Sequence, residues 1–122
     1  MKQTEQILTK TIAMPADTNP NGDIFGGWLL SQMDVAGGIL ARSIAKGRVA
    51  TVAIKAMKFL KPVKIGDTVS CFGVVASTGN TSITIRLRVE AESWNSGEKK
   101  EVTTGVFVYV AIDLDGKPRS IA

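Results

Sequence analysis

The sequence contains no histidine and a single cysteine, and both shortages narrow the chemistry open to it. Without histidine there is no Ser-His-Asp or Cys-His triad, no histidine-containing zinc site and no histidine-based dehydratase. Any proton transfer must fall to a carboxylate, a lysine, a tyrosine or the backbone. Cys71 cannot form an internal disulfide, which fits a reducing compartment and predicts a cytoplasmic location. It lies in the strand-like run Asp67 to Ala76 with nothing to activate it, so it reads as core packing. Long apolar runs are missing too: none approaches the roughly 18 residues a membrane span needs. Residues Met1 to Lys10 lack the apolar stretch of an export signal, so no membrane partner is expected. Aromatics make up only 6%, and the net charge of +4 comes from scattered lysines and arginines. Such a charge suits an anionic partner. With no basic helix and no aromatic-rich strand, a nucleic acid is not the expected one.

What remains is a chain of 122 residues with 44% hydrophobic content, enough for one core and too short for two, so residues 1–122 are expected to form a single domain. A strand is expected over Thr4 to Ile12, with Ile7, Thr9 and Thr11 on one side and Leu8 and Ile12 on the other. Pro15 to Asp23 is crowded with proline, asparagine, aspartate and glycine and predicts a loop of the kind that often carries function. Trp28 to Ala45 is apolar nearly all round and reads as a buried helix ending near Lys46-Gly47. Beyond it the β-branched runs Val49 to Phe59, Asp67 to Thr78, Thr81 to Ser93 and Glu101 to Asp113 predict strands, with a short terminal strand over Lys117 to Ile121. The breaks fall at Lys61-Pro62, Gly66-Asp67, Gly79-Asn80, Ser96-Gly97 and Asp115-Gly116, all turn chemistry. One helix among so many strands has no partner but the sheet. The expected class is α+β, a curved antiparallel sheet wrapped around one long central helix.

Of 11 carboxylates, Asp34 stands apart, because it lies in mid-helix between Met33 and Val35. An aspartate there is costly unless something uses it. Gly37 and Gly38 follow at i+3 and i+4 on the same face, and each costs about 1 kcal/mol against alanine in a helix interior. Something must approach that face closely, either another helix or a substrate. Gly26-Gly27 precede the helix, so unpaired N–H groups with the positive end of the helix dipole behind them can serve as an oxyanion hole, although a plain helix-starting turn explains the pair nearly as well. Seven or eight residues separate these glycines from Asp34, roughly 10 to 12 Å at about 1.5 Å per residue. One reacting carbon does not reach both ends. The two groups are therefore expected to come from different chains of a dimer.

The run Met14 to Asp34, followed by Gly47 to Thr51, Phe59 to Val63 and Ile65 to Asp67, resembles the YciA branch of the hotdog acyl-CoA thioesterases. The resemblance covers most of the chain. It implies a hotdog fold, hydrolysis of acyl-CoA without metal or other cofactor, dimers with two sites at their interface, and trimers of those dimers. Asp34 then matches the family's helix carboxylate, a general base or nucleophile, and Gly26 the helix-start N–H that polarises the carbonyl, with Gly27 beside it. Asn19 falls where related enzymes place a polar residue near the thioester or water, and Thr51 is similar to a strand hydroxyl facing the carboxylate. The turn Gly79-Asn80-Thr81-Ser82 resembles a nucleotide-side turn in which Asn80 replaces an arginine. Arg119 is similar to a basic position near the CoA phosphates, and Lys61 is a further basic residue suited to them. Lys55 and Lys58 depart from the acidic and polar residues of that branch, so the acyl pocket or its rim is expected to differ. Two rival readings remain: another hotdog enzyme acting on CoA thioesters, and a noncatalytic acyl-CoA-binding module that needs the fold but not Asp34.

Overall fold

The computed structural model describes residues 5–121. Strand β1 (Gln6–Ile12) leads through a 3-10 turn at Pro15–Asp17 into helix α1 (Gly26–Ala45). Four strands follow: β2 (Val49–Phe59), β3 (Thr68–Thr78), β4 (Ser82–Glu92) and β5 (Lys99–Ala111). They form one antiparallel sheet in the order β1-β3-β4-β5-β2, and α1 packs against all five strands. This is the single helix in a curled sheet that the sequence predicted. No helix among the described residues is long and apolar enough to cross a membrane.

Alternation builds the core. On β4, Ile83, Ile85, Leu87, Val89 and Ala91 are buried at every second position, as a strand with one face on the core requires. The helix answers with Leu29, Met33, Ala36, Gly37, Leu40, Ala41 and Ala45, a stripe at i, i+4 and i+7 spacing. Cys71 lies in this core beside the helix stripe, and burial pushes its thiol up from the ordinary range, so it is inert packing as expected.

The structure departs from the sequence-based expectations in several places. The helix begins at Gly26 rather than Trp28, so both glycines belong to its first turn. It is not buried all round, because the sheet covers one side only: Val35 is 58% and Ile39 48% exposed. The expected first strand is described from Gln6 onward, Thr4 lying outside the described residues. A bulge between Ile7 and Thr9 breaks its predicted alternation and lets Leu8 pack on the core while Ile7 stays exposed. Strand β5 runs from Lys99 to Ala111, starting and ending two residues earlier than predicted. The segment from Lys117 to Ile121 is no strand: it makes one isolated bridge, Ile112 with Pro118, and Asp113 draws the preceding turn closed with its side chain.

Strand β2 is an edge. Its free side and two bulges, after Thr51 and after Lys55, leave Val52 and Ile54 exposed, and the second bulge puts Ala56 at φ 51°. Lys55 and Lys58 point into solvent along this strand.

At Gly37 the close approach comes from within the chain's own sheet. It is Tyr109 on β5: a Cβ at Gly37 would lie 2.3 Å from the Tyr109 hydroxyl oxygen and 3.0 Å from its ring. Gly37→Ala should therefore destabilise the fold by about 1–2 kcal/mol, the overpacking cost exceeding the gain in helix propensity. Combining it with Tyr109→Phe, which removes the atom closest to the new methyl, should restore part of that loss in a double-mutant cycle read by denaturant melts. A Gly37→Ala protein as stable as the parent would contradict the contact.

Candidate active site

Asp34 stands half-buried in the third turn of α1, where the curl of the sheet brings two hydroxyls to it. Thr51 on β2 donates from Oγ1 to Asp34 Oδ1 at 2.6 Å. Tyr109, paired with Thr51 across the β2–β5 ladder, places its hydroxyl 2.9 Å from the Asp34 carbonyl oxygen and 3.2 Å from Oδ1. Both hydroxyls meet the same carboxylate oxygen. Among the described residues no hydrogen bond reaches Oδ2. Burial, together with the neighbouring Asp34 charge, pushes the Tyr109 phenol far above its ordinary range, so it acts as a neutral donor and not as a base.

The helix start forms a second group. Phe25 is its N-cap residue and has no side chain able to cap, and among the described residues no protein acceptor pairs with the N–H of Gly26 or Gly27. Two aromatic rings explain the glycines sterically: a Cβ at Gly26 would lie 3.3 Å from the Phe59 ring, and one at Gly27 3.0 Å from the Phe25 ring. Asn19, Gly26 and Lys61 line one cleft of about 300 Å³ together with Ile24, Leu29 and Phe59. The polar loop before the helix is ordered by its own turns. Asn19 Oδ1 accepts from the backbone N–H of Asn21 at 2.9 Å and of Asp23 at 3.2 Å, and Thr18 bridges Ile24. Because two N–H groups require the oxygen there, the Asn19 NH2 is left as a donor at the cleft.

The third group lies at the other end of the helix. Lys46 takes the left-handed cap conformation at φ 55°, and the glycine after it makes room for Arg119, whose Nη2 would stand 2.7 Å from a Cβ at Gly47. The Arg119 guanidinium donates to the carbonyl oxygens of Ala45 at 2.8 Å, Ile112 at 3.2 Å and Ser120 at 3.3 Å. The Thr81-Ser82 turn lies beside it: Ala111 N–H donates to the Thr81 carbonyl at 2.9 Å and Ser120 Oγ to Asn80 Oδ1 at 3.1 Å. The expected site residues thus divide along the helix into Asn19, Gly26, Gly27 and Lys61 at its start, Asp34 and Thr51 in its middle, and Thr81, Ser82 and Arg119 at its end. Sequence reasoning missed Tyr109. The signals for it were the glycine pair one turn beyond Asp34 and a lone tyrosine in an apolar strand, whose hydroxyl needs a partner when buried.

Among the described residues no group of three or more His, Cys, Asp or Glu is placed to hold a metal ion. A carboxylate with one oxygen held and the other free, in a helix whose first N–H groups are open, is equipped for acyl transfer to water. The family model described as the thioesterase superfamily matches residues 21–96, and the chain belongs to that superfamily. The YciA resemblance holds as well. The acyl-CoA thioester hydrolase YciA of Salmonella typhimurium is 50% identical over 119 residues, covering 95% of this chain and 90% of that protein. Its counterpart in Escherichia coli is 49% identical over 118 residues, covering 94% and 89%. Among solved structures, the hexameric thioesterase of Yersinia pestis superposes with a TM-score of 0.92 at 52% identity, covering 96% of this chain and 95% of that one. A hexameric hotdog-fold thioesterase of Campylobacter jejuni gives a TM-score of 0.90 at 43% identity, covering 95% and 90%. The curled sheet around α1 is the hotdog fold.

The three donations by Arg119 make a prediction. Arg119→Ala should lower stability by about 1–2 kcal/mol, since a charged donor to the helix C-terminus is lost. If that is its task, the KM for acyl-CoA stays within about twofold of the parent. A raised KM with unchanged melting would instead give Arg119 the expected place at a CoA phosphate.

Proposed function

We propose that this chain hydrolyses acyl-CoA thioesters to a free carboxylic acid and CoA, with each site built by two chains. The observation that carries this reading is Asp34, a mid-helix carboxylate held at Oδ1 with Oδ2 unpaired, in a chain half identical to acyl-CoA thioester hydrolases over nearly its whole length.

Asp34 works in one of two ways. As a general base it takes a proton from water while the water oxygen bonds to the thioester carbon. The C–S bond then breaks and the CoA thiolate leaves, to be protonated to the thiol. As a nucleophile, its own oxygen bonds to that carbon and expels the thiolate, and water then hydrolyses the anhydride. In a single turnover in labelled water, label in the Asp34 carboxylate identifies the anhydride route with water attacking the aspartyl carbon, whereas direct attack puts all of it in the product acid. Either route develops negative charge on the carbonyl oxygen. The N–H groups of Gly26 and Gly27 and the Asn19 amide supply donors for it. The reaction balances with water alone and requires no cofactor.

The two glycine N–H groups stand seven or eight residues from Asp34 along the helix, roughly 10 to 12 Å, so they serve the Asp34 of a second chain. The apolar row left open on α1 and β2, Val35, Ile39, Val52 and Ile54, offers that chain a seat, and burying each such side chain is worth roughly 1.5–3 kcal/mol. With hexameric relatives in Yersinia pestis and Campylobacter jejuni, a trimer of dimers is the assembly proposed. Lys61 at the cleft rim is the proposed contact for a CoA phosphate, with the Thr81-Ser82 turn a second contact at the far end of the helix. The free, buried Cys71 fits a cytoplasmic location.

Asp34→Asn should cut kcat at least about a hundredfold, the usual worth of general-base help, while assembly and CoA binding persist. A stable, assembled Asp34→Asn protein that keeps more than about a tenth of the parent kcat sinks the reading. Sharing of sites has its own test. Asn19→Ala and Asp34→Asn proteins, each nearly inactive, are mixed, unfolded and refolded together. Half the dimers become hybrids with one intact site of two, so about a quarter of the parent activity returns. If no activity returns, the two residues belong to one chain's site.

A further inference from the structure

Tyr109 is the one tyrosine of the chain and lies almost wholly inside the core, yet its hydroxyl is spent on the one helix residue that carries the proposed chemistry. Its ring stacks loosely on Phe107, with centroids 6.4 Å apart, so a phenylalanine would serve packing there. The Asp34 carbonyl it meets at 2.9 Å lies within the helix, where the ladder already supplies a donor. Room for the hydroxyl exists only because position 37 is glycine, at a cost of about 1 kcal/mol in helix propensity. Packing alone accounts for neither the glycine nor the hydroxyl.

We infer that Tyr109 is a positioning residue for Asp34: with Thr51 it holds Oδ1 and so turns Oδ2 toward the substrate. The inference rests on the catalytic reading of Asp34 given above. The two hydroxyls reach Oδ1 from adjacent strands, Thr51 from β2 at 2.6 Å and Tyr109 from β5 at 3.2 Å. Neither carries a charge, and no charged side chain among the described residues pairs with the carboxylate. The Thr51 bond, together with the single Tyr109 proton shared between Oδ1 and the Asp34 carbonyl oxygen, restricts rotation about the Cβ–Cγ bond of the aspartate, so the reactive oxygen is set before substrate arrives. Thr51 alone leaves that rotation looser, since its own side chain is exposed on an edge strand.

Two measurements test this. In Tyr109→Phe, kcat should fall roughly tenfold with KM within about twofold, as expected when one hydrogen bond to a charged group is lost. The acid limb of its pH profile should also move to higher pH, because a carboxylate that loses a donor is easier to protonate. A folded Tyr109→Phe enzyme with the parent's kcat and an unmoved acid limb would leave Tyr109 a packing role only. The second measurement needs no substitution. Growth on 3-fluorotyrosine labels this single tyrosine, and its fluorine resonance should titrate with the midpoint of the acid limb and stop titrating in Asp34→Asn. A resonance that is flat across the limb overturns the inference even if Tyr109→Phe fails to fold. Should Asp34→Asn keep its turnover while the resonance of the parent still follows the carboxylate, the contact stands and the catalytic reading of Asp34 falls.

Discussion

One helix has to serve as the inner layer for five strands, and that constraint governs the rest of the molecule. A curled sheet can surround such a helix on one side only, so α1 is apolar on more of its circumference than its own chain covers. The covered stripe is built from alanine, glycine, leucine and methionine, with no β-branched residue among them. On the uncovered side lie Val35 and Ile39, and at its margin the half-buried Asp34. A carboxylate survives there because the edge strand and its neighbour offer hydroxyls before the core closes over it.

The order of elements was legible because the two periodicities differ so plainly. Alternation on β4 and the helical spacing of Leu29, Met33, Ala36 and Leu40 admit no exchange of helix for strand. What escaped were features that no local pattern encodes. The bulge in β1 depends on Leu8 finding space beside Gly73 in a neighbouring strand. The Lys117 to Ile121 segment has β-compatible residues, but Pro118 lacks the N–H that a ladder needs and the chain is held by Arg119 instead. Gly-Gly discourages a helix assignment, and the reason for glycine here lies in space: the Phe25 and Phe59 rings crowd the first turn.

Of the site, the aspartate was readable because it broke a pattern. The glycines one turn later announced a close neighbour without naming it, since a sequence separation of 75 residues between Asp34 and Tyr109 leaves no local trace. Arg119 shows the reverse difficulty. Its place in a basic, turn-rich segment suggested an anion, while its donors go to three carbonyl oxygens, and only the spatial proximity of Ala45 reveals why. A guanidinium suits both tasks, so residue type cannot choose between them.

The same arginine ties the timing of folding to synthesis. The group that closes the last turn of the helix lies 74 residues downstream of it, and Thr51 meets Tyr109 only after β5 has been made. Contacts of such long range are slow to form and cannot be anticipated by a partial chain. Before β5 exists, β1, β3 and β4 can already pair and cover part of α1, but β2 has no neighbour in the sheet, so the edge strand that carries Thr51 is the last to be fixed against the helix.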